Sequence, residues 1–164
     1  MNINSPISTK CRLNSFMTCD AVHVDPATGK HSLLGVFSSL RAKSFPVVHP
    51  KMTWFLSLSE LHKGKHHLKI SMADPTGELE TKVIIDRHFE SPNPNETINL
   101  VNQIHRLKFL EAKTYSVIIE VDNEIVFVHS FRIKYHAEYE STQEYSDEDY
   151  DDEDYDYGDN DSVF

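Results

Sequence analysis

Residues 115–135 read YSVIIEVDNEIVFVHSFRIKY, and this stretch decides the fold class. Tyr115, Val117, Ile119 and Val121 alternate with polar or outward positions. Asp122-Asn123-Glu124 interrupts them, and Ile125, Phe127, His129, Phe131, Ile133 and Tyr135 resume the alternation. Side chains of a strand point to opposite faces in turn, so a period of two marks a half-buried strand. Two such runs around a short polar loop form a β-hairpin.

Working back towards the N-terminus, the same pattern recurs. His67 to Ala73 places Leu68, Ile70 and Met72 inward, after a turn at Lys63-Gly64-Lys65. Leu79 to Arg87 is the next strand, with Thr81, Val83 and Ile85 on one side. Asp74-Pro75-Thr76-Gly77 separates the two, and Asp25-Pro26-Ala27-Thr28-Gly29-Lys30 is a turn of the same kind. In both, proline presets φ and glycine supplies a positive φ. Strands over Ser15–Val24 and His31–Phe37 flank the earlier turn and form a second hairpin. Met52 to Ser59 alternates as well, whereas Ser44-Phe45-Pro46 and His49-Pro50 are expected to break any regular element. Glu96 to Leu107 fits either period and is read as a strand. About eight strands with no helical period between them predict an all-β protein, an antiparallel immunoglobulin-like β-sandwich rather than a closed barrel. The expected core is Trp54, Phe55, Leu56, Leu68, Ile70, Val83, Val117, Ile119, Phe127 and Phe131.

Charge divides the 164 residues into unequal parts. The last basic residue is Lys134, and thirteen of the 26 acids lie from Glu138 to Asp161. Residues 1–136 therefore carry +3 and residues 137–164 carry −13. The division predicts a flexible N-terminal arm over 1–13, a sandwich over 14–136 and a disordered acidic, Tyr-rich tail over 137–164. Such a tail cannot bury enough apolar surface to offset its chain entropy. No apolar run is long enough for a transmembrane helix, and Met1–Leu13 lacks the apolar core of a secretory signal. Cys11 and Cys19 do not make a disulfide framework and suit a reducing cytoplasm.

The spaced elements Cys19-Asp20, Asp25-x-x-Thr28-Gly29-Lys30-x-Ser32-Leu33-x-Gly35-x-Phe37 and Ser44-Phe45-Pro46-x-x-His49-Pro50 carry a resemblance. With Asp74-Pro75-x-Gly77 and the hairpin from Tyr115 to Tyr135, the chain resembles a family of small bacterial all-β proteins of unknown function over about residues 14–135. The resemblance implies an immunoglobulin-like sandwich in a bacterial cytoplasm. It implies no activity, no cofactor and no functional residues.

Few motifs suggest chemistry. Gly29-Lys30 lacks the earlier glycine and the strand-to-helix setting of a phosphate loop, so it reads as a turn. His62, His66 and His67 cluster with Lys63 and Lys65. On one helical face His62 and His66 could grip zinc, but at a hairpin tip among lysines the expected state is a solvated basic turn. His129 is expected as a core histidine with a hydrogen-bonded ring, Cys19 as a small buried hydrophobe, and Cys11 as exposed and unactivated. Asp147, Asp149 and Asp151 begin like a calcium loop, but Asp152 stands where that loop needs glycine. No catalytic residue, cofactor or metal is expected.

The tail is the informative feature. Tyr145, Tyr150, Tyr155 and Tyr157 are interleaved with acids, and the chain ends at Phe164. A flexible anion bearing aromatics can dock in a basic groove. Tyr150, Tyr155, Tyr157 and Phe164 are the candidate partner-binding residues. The expected function is a non-enzymatic binding or adaptor module with protein partners, basic ones among them, and no membrane. The acidic tip ending in phenylalanine is also loosely similar to the C-termini of single-stranded DNA-binding proteins. That likeness supplies the alternative: a single-stranded nucleic-acid-binding protein whose tail is autoinhibitory.

Overall fold

A computed structural model describes residues 11–74, 76, 80–94 and 96–136. Nine strands are present: β1 (Arg12–Val24), β2 (His31–Phe37), β3 (Ser39–Ala42), β4 (Val47–Ser59), β5 (Gly64–Ala73), β6 (Lys82–Ser91), β7 (Ile98–Phe109), β8 (Thr114–Val121) and β9 (Glu124–Tyr135). They form a four-stranded sheet in the order β2-β1-β4-β7 and a five-stranded sheet in the order β3-β9-β8-β5-β6. The runs β1-β4-β7 and β5-β8-β9 reproduce the A-B-E and C-F-G orders of an immunoglobulin domain. The β1–β2 hairpin adds an outer strand to the first sheet.

A second feature agrees with that topology. Tyr115, near the start of β8, is buried, and its hydroxyl donates to the Glu111 carbonyl at 3.2 Å. This is the tyrosine corner of immunoglobulin-like sandwiches. Two residues on, where antibody domains carry a cysteine, stands the fully buried Val117. The core between the sheets is accordingly aliphatic and aromatic, built on Trp54, Leu56, Leu58, Leu68, Ile70, Ile119, Phe109 and Phe131.

The turns expected at Asp25–Lys30 and Asp122–Glu124 are present. Asp25 accepts from the Ala27 amide (2.9 Å) and the Thr28 hydroxyl (2.5 Å), and Gly29 takes a φ of +68°. Asp74 repeats the first contact with the Thr76 amide at 3.0 Å. Asp122 and Asn123 both have positive φ (51° and 66°), so β8 and β9 join through a two-residue turn of the kind that matches strand twist.

Several expectations need correction. The strands number nine, because β3 is only four residues long, too short for its alternation to stand out. It pairs with β9 in parallel, so the sandwich is not wholly antiparallel. Pro50 does not end a strand. β4 runs through it, and the ladder steps from His49↔Leu107 to Lys51↔His105 without using position 50. The facing Arg106 has φ +55°, and the inward-facing set changes parity there, from Ile104 to Leu107. β1 begins at Arg12, inside the stretch read as an arm, and Cys11 is buried at 7% exposure against the core rather than exposed.

Two expected core residues lie outside it. Val83 is 47% exposed and Phe127 37% exposed. Both stand beside β-bulges. The β5–β6 register shifts between Ile70↔Ile85 and Ser71↔Val83. The β8–β9 register shifts between Ile119↔Phe127 and Glu120↔Ile125, and Val126 in the gap is buried. The first extra residue turns Val83 away from the face of Ile85, whereas Phe127 pairs with the buried Ile119, keeps the inward face and is left part-open beside the bulge. The other eight expected residues are buried.

The β1–β2 hairpin curls. Phe55 pairs with Met17, and His31 pairs with Val24 seven residues along β1, about 23 Å in an extended strand. Yet the His31 and Phe55 rings lie 5.6 Å apart. The far end of the hairpin therefore folds over the outer face of β4, where Thr53 and Cys19 are fully buried. Gly35 opposes Asp20 at the bend with φ +64°, and a Cβ there would lie 2.2 Å from Asp20 Oδ2. Gly35→Ala is expected to cost about 1–3 kcal/mol by chemical denaturation. Adding Asp20→Ala should recover the steric part and leave the cost of the left-handed backbone. Equal stability of Gly35→Ala and the parent would refute the bend.

Candidate functional site

Three clusters of polar or exposed side chains stand out on the described surface. The first is the histidine cluster, which the sequence placed on a solvated turn. Its centre is buried instead. The His66 ring is fully covered, stacked on Phe89 at 5.4 Å and edge-on to His62 at 4.3 Å. His66 Nδ1 lies 2.7 Å from Asp122 Oδ2, and Nε2 lies 2.8 Å from the His62 carbonyl. Both ring nitrogens face acceptor oxygens. Asp122 Oδ1 also accepts from the His67 amide at 2.9 Å. Burial pushes the Asp122 carboxyl up, but hydrogen bonds from His66 and the His67 amide outweigh it and hold it below its ordinary value. Beside it, His67 Nε2 lies 2.6 Å from Asp86, and the His67 and His88 rings are 4.9 Å apart.

This cluster ties the β8–β9 turn to β5. Among the described residues no group of three or more His, Cys, Asp or Glu is placed to hold a metal ion. Both His66 nitrogens are already engaged.

The second cluster lies at the end of β5. The Asp74 carboxylate is fully buried and accepts from Lys113 Nζ (2.8 Å), the Thr76 amide (3.0 Å) and the Thr76 hydroxyl (2.9 Å). Burial pushes its carboxyl up, and the Lys113 and Thr76 hydrogen bonds more than reverse this, leaving it at about 2 against an ordinary 3.8. A depressed carboxyl contributes stability that is full above the unfolded value and lost as pH falls through the folded one. Between about pH 4 and 2 the parent should therefore lose melting temperature faster than Asp74→Asn. Parallel curves would show that Lys113 does not stabilise the ionised form.

The third cluster is the rim where β3 meets β9. The parallel pairs Ser39↔Arg132 and Arg41↔Lys134 put Arg41, Arg132 and Lys134 on the outer face, while Leu40 and Ile133 turn inward. Lys43 follows β3, and all four cations are exposed. Among the described residues none of them has an acidic partner. Elsewhere Lys69 pairs with Glu120 at 2.9 Å and Arg12 with Glu60 at 3.8 Å. The pairing extends past β9, since the His136 amide donates to the Ala42 carbonyl at 2.9 Å. Tyr135 is 63% exposed and meets Phe45 edge to face at 5.0 Å. The sequence reading missed this rim, because Arg41 and Lys43 are 89 residues or more from Arg132 and only the parallel pairing joins them.

The cysteines and His129 occupy structural positions. Cys19 is buried with Sγ 3.6 Å from the Thr53 carbonyl, and burial, then Asp20, push its thiol up. Burial also pushes the Cys11 thiol up to about 11, helped by Asp122 and Glu60. His129 is half-buried between Phe16 (5.2 Å) and Phe127 (6.3 Å), and burial lowers its pKa. The expected hydrogen bond to its ring is missing among the described residues. Tyr150, Tyr155, Tyr157, Phe164 and the Asp147–Asp151 run lie outside the described residues.

These features define a small immunoglobulin-like β-sandwich with a buried His66 ring, a buried Asp74 carboxylate and a basic rim that has no acidic partner among the described residues. Residues 14–134 match the model of a family of unknown function (DUF6941), and the chain belongs to that family. No curated protein matches the chain. Among solved structures, β-glucosidase 3B from Thermotoga neapolitana is similar at 16% identity with a TM-score of 0.41, over 54% of this chain and 15% of that one. A Kluyveromyces marxianus β-glucosidase is similar at 12% and 0.43, over 60% and 15%. The Pseudomonas fluorescens alkylpurine DNA glycosylase AlkC, bound to DNA containing an abasic site analog, is similar at 10% and 0.43, over 76% and 30%. Likeness at this level says nothing of activity, and the chain spans less than a third of each of those chains. No helix among the described residues is long and apolar enough to cross a membrane.

Proposed function

We propose that this chain is a non-catalytic binding module of a bacterial cytoplasm, an adaptor whose acidic tail docks basic protein partners. The observation that carries the reading is the charge division: thirteen acids and no cation follow the last strand, interleaved with tyrosines and closed by Phe164. An anion with aromatic side chains is a ligand for basic, partly apolar surfaces. Tyr150, Tyr155, Tyr157 and Phe164 supply the contacts that distinguish docking from charge attraction alone. The state of the sandwich supports a non-catalytic role. His66 spends both ring nitrogens on structural partners, and both thiols are buried with raised pKa values, far from an activated nucleophile.

The alternative is single-stranded nucleic-acid binding with the tail as autoinhibitor. The rim of Arg41, Lys43, Arg132 and Lys134, which has no acidic partner among the described residues, favours it. The test is fluorescence anisotropy of a labelled lysine-rich peptide with the full chain. Saturable binding is expected, weakened at least fivefold by replacing Tyr150, Tyr155, Tyr157 and Phe164 with serine. Equal affinity of parent and variant would reduce the tail to a charge brush and overturn the docking role.

A further inference from the structure

We propose that the acidic segment 138–161 docks on the rim of its own domain formed by Arg41, Lys43, Arg132 and Lys134. This goes beyond the partner-binding reading and holds whether or not an outside partner exists. Three observations carry it. The four cations are exposed and lie together on one edge of the five-stranded sheet, Arg41 directly beside Lys134 and Ser39 beside Arg132. They have no acidic partner among the described residues, while Lys69, Lys113 and Arg12 elsewhere on the sandwich do. The chain leaves the sandwich at this same place: the His136 amide is bonded to Ala42, and Glu138 and Glu140 follow within four residues.

Physical chemistry favours this occupant over a free anion. A tethered segment meets its own surface at an effective concentration of about millimolar, which no cytoplasmic competitor of similar charge matches easily. Single exposed ion pairs are weak, but four cations facing thirteen acids need no fixed register. The contact is therefore a loose, multiply paired one that salt screens. The exposed Tyr135, backed edge to face by the half-buried Phe45, adds an aromatic surface at the same rim, on which a tail tyrosine can pack. A basic partner of the tail then competes with the rim, and a polyanion competes with the tail. The rim acts as an internal stand-in for the partner.

Zero-length carbodiimide cross-linking of the full chain, read by peptide mass spectrometry, tests this. The reagent joins carboxylates to lysines in contact. Tail conjugates to Lys43 should exceed those to Lys30, Lys51, Lys63, Lys82 or Lys108 by about fivefold or more at low salt, and fall to their level at about 0.5 M salt. Arg41→Gln with Arg132→Gln should lower the Lys43 conjugates; both side chains are exposed, so the fold is retained. Mixing isotopically heavy and light chains should leave the conjugates within single chains. Conjugates spread evenly over the lysines, indifferent to the two substitutions, or formed between chains would overturn the proposal.

Discussion

His66→Ala is expected to destabilise the domain by about 2–4 kcal/mol, measured by denaturant unfolding at neutral pH. The ring is fully buried and carries three tasks at once. It fills the space against Phe89, donates to the His62 carbonyl, and pairs with Asp122. Alanine opens a void and leaves two oxygens that had partners without them, and an unmade hydrogen bond in a covered site costs more than a made one contributes. Asp122→Asn is the informative companion. Asparagine tolerates the positive φ of that turn position and keeps one acceptor, so the turn should survive. Its cost should be smaller, about 1–2 kcal/mol, with loss of the charge-assisted part alone. Equal, small effects for both would mean that the region is the solvated turn its sequence suggests.

The second large effect separates two aromatics that alternation treats alike. Trp54→Ala is expected to cost about 3–5 kcal/mol, because the side chain is fully buried between the sheets and packs edge-on against Phe16 at 5.8 Å. Phe127→Ala should cost about 1 kcal/mol or less, since more than a third of that residue remains exposed. Trp54→Phe should fall well below Trp54→Ala. Phenylalanine keeps much of the ring and removes the indole N–H, which has no hydrogen-bond partner among the described residues. Similar losses for Trp54→Ala and Phe127→Ala would show that Phe127 is packed into the core as deeply as Trp54.

The pattern of success and failure in reading the sequence reflects what alternation encodes. A period of two reports which side chains share a face, and it located β2 to the residue and β8 to within one. It says nothing about an extra residue. At the β5–β6 bulge the facing reverses and Val83 turns outward, whereas Phe127 keeps the inward face opposite Ile119 and is left part-open beside the β8–β9 bulge. Turn chemistry was legible because Asp25, Gly29 and Asp122 act within their own loops. The basic rim was not, because a strand of only four residues brings Arg41 beside Lys134 from 93 residues away. The burial of His66 was hidden for a similar reason: its partner Asp122 lies 56 residues away. Pro50 misled because a missing N–H ends a strand only where a neighbour needs it, and at that position the ladder skips a pair.

The docking account is tested most directly by offering the full chain two labelled probes in one cell, a lysine-rich peptide and a single-stranded oligonucleotide, across a salt series. The peptide is expected to bind through the tail, and the oligonucleotide to bind no more than weakly at low salt, where segment 138–161 occupies the rim. Tight oligonucleotide binding that falls steeply with salt, and that is lost when Arg41, Lys43, Arg132 and Lys134 are replaced by glutamine, would contradict it and make the rim a nucleic-acid site.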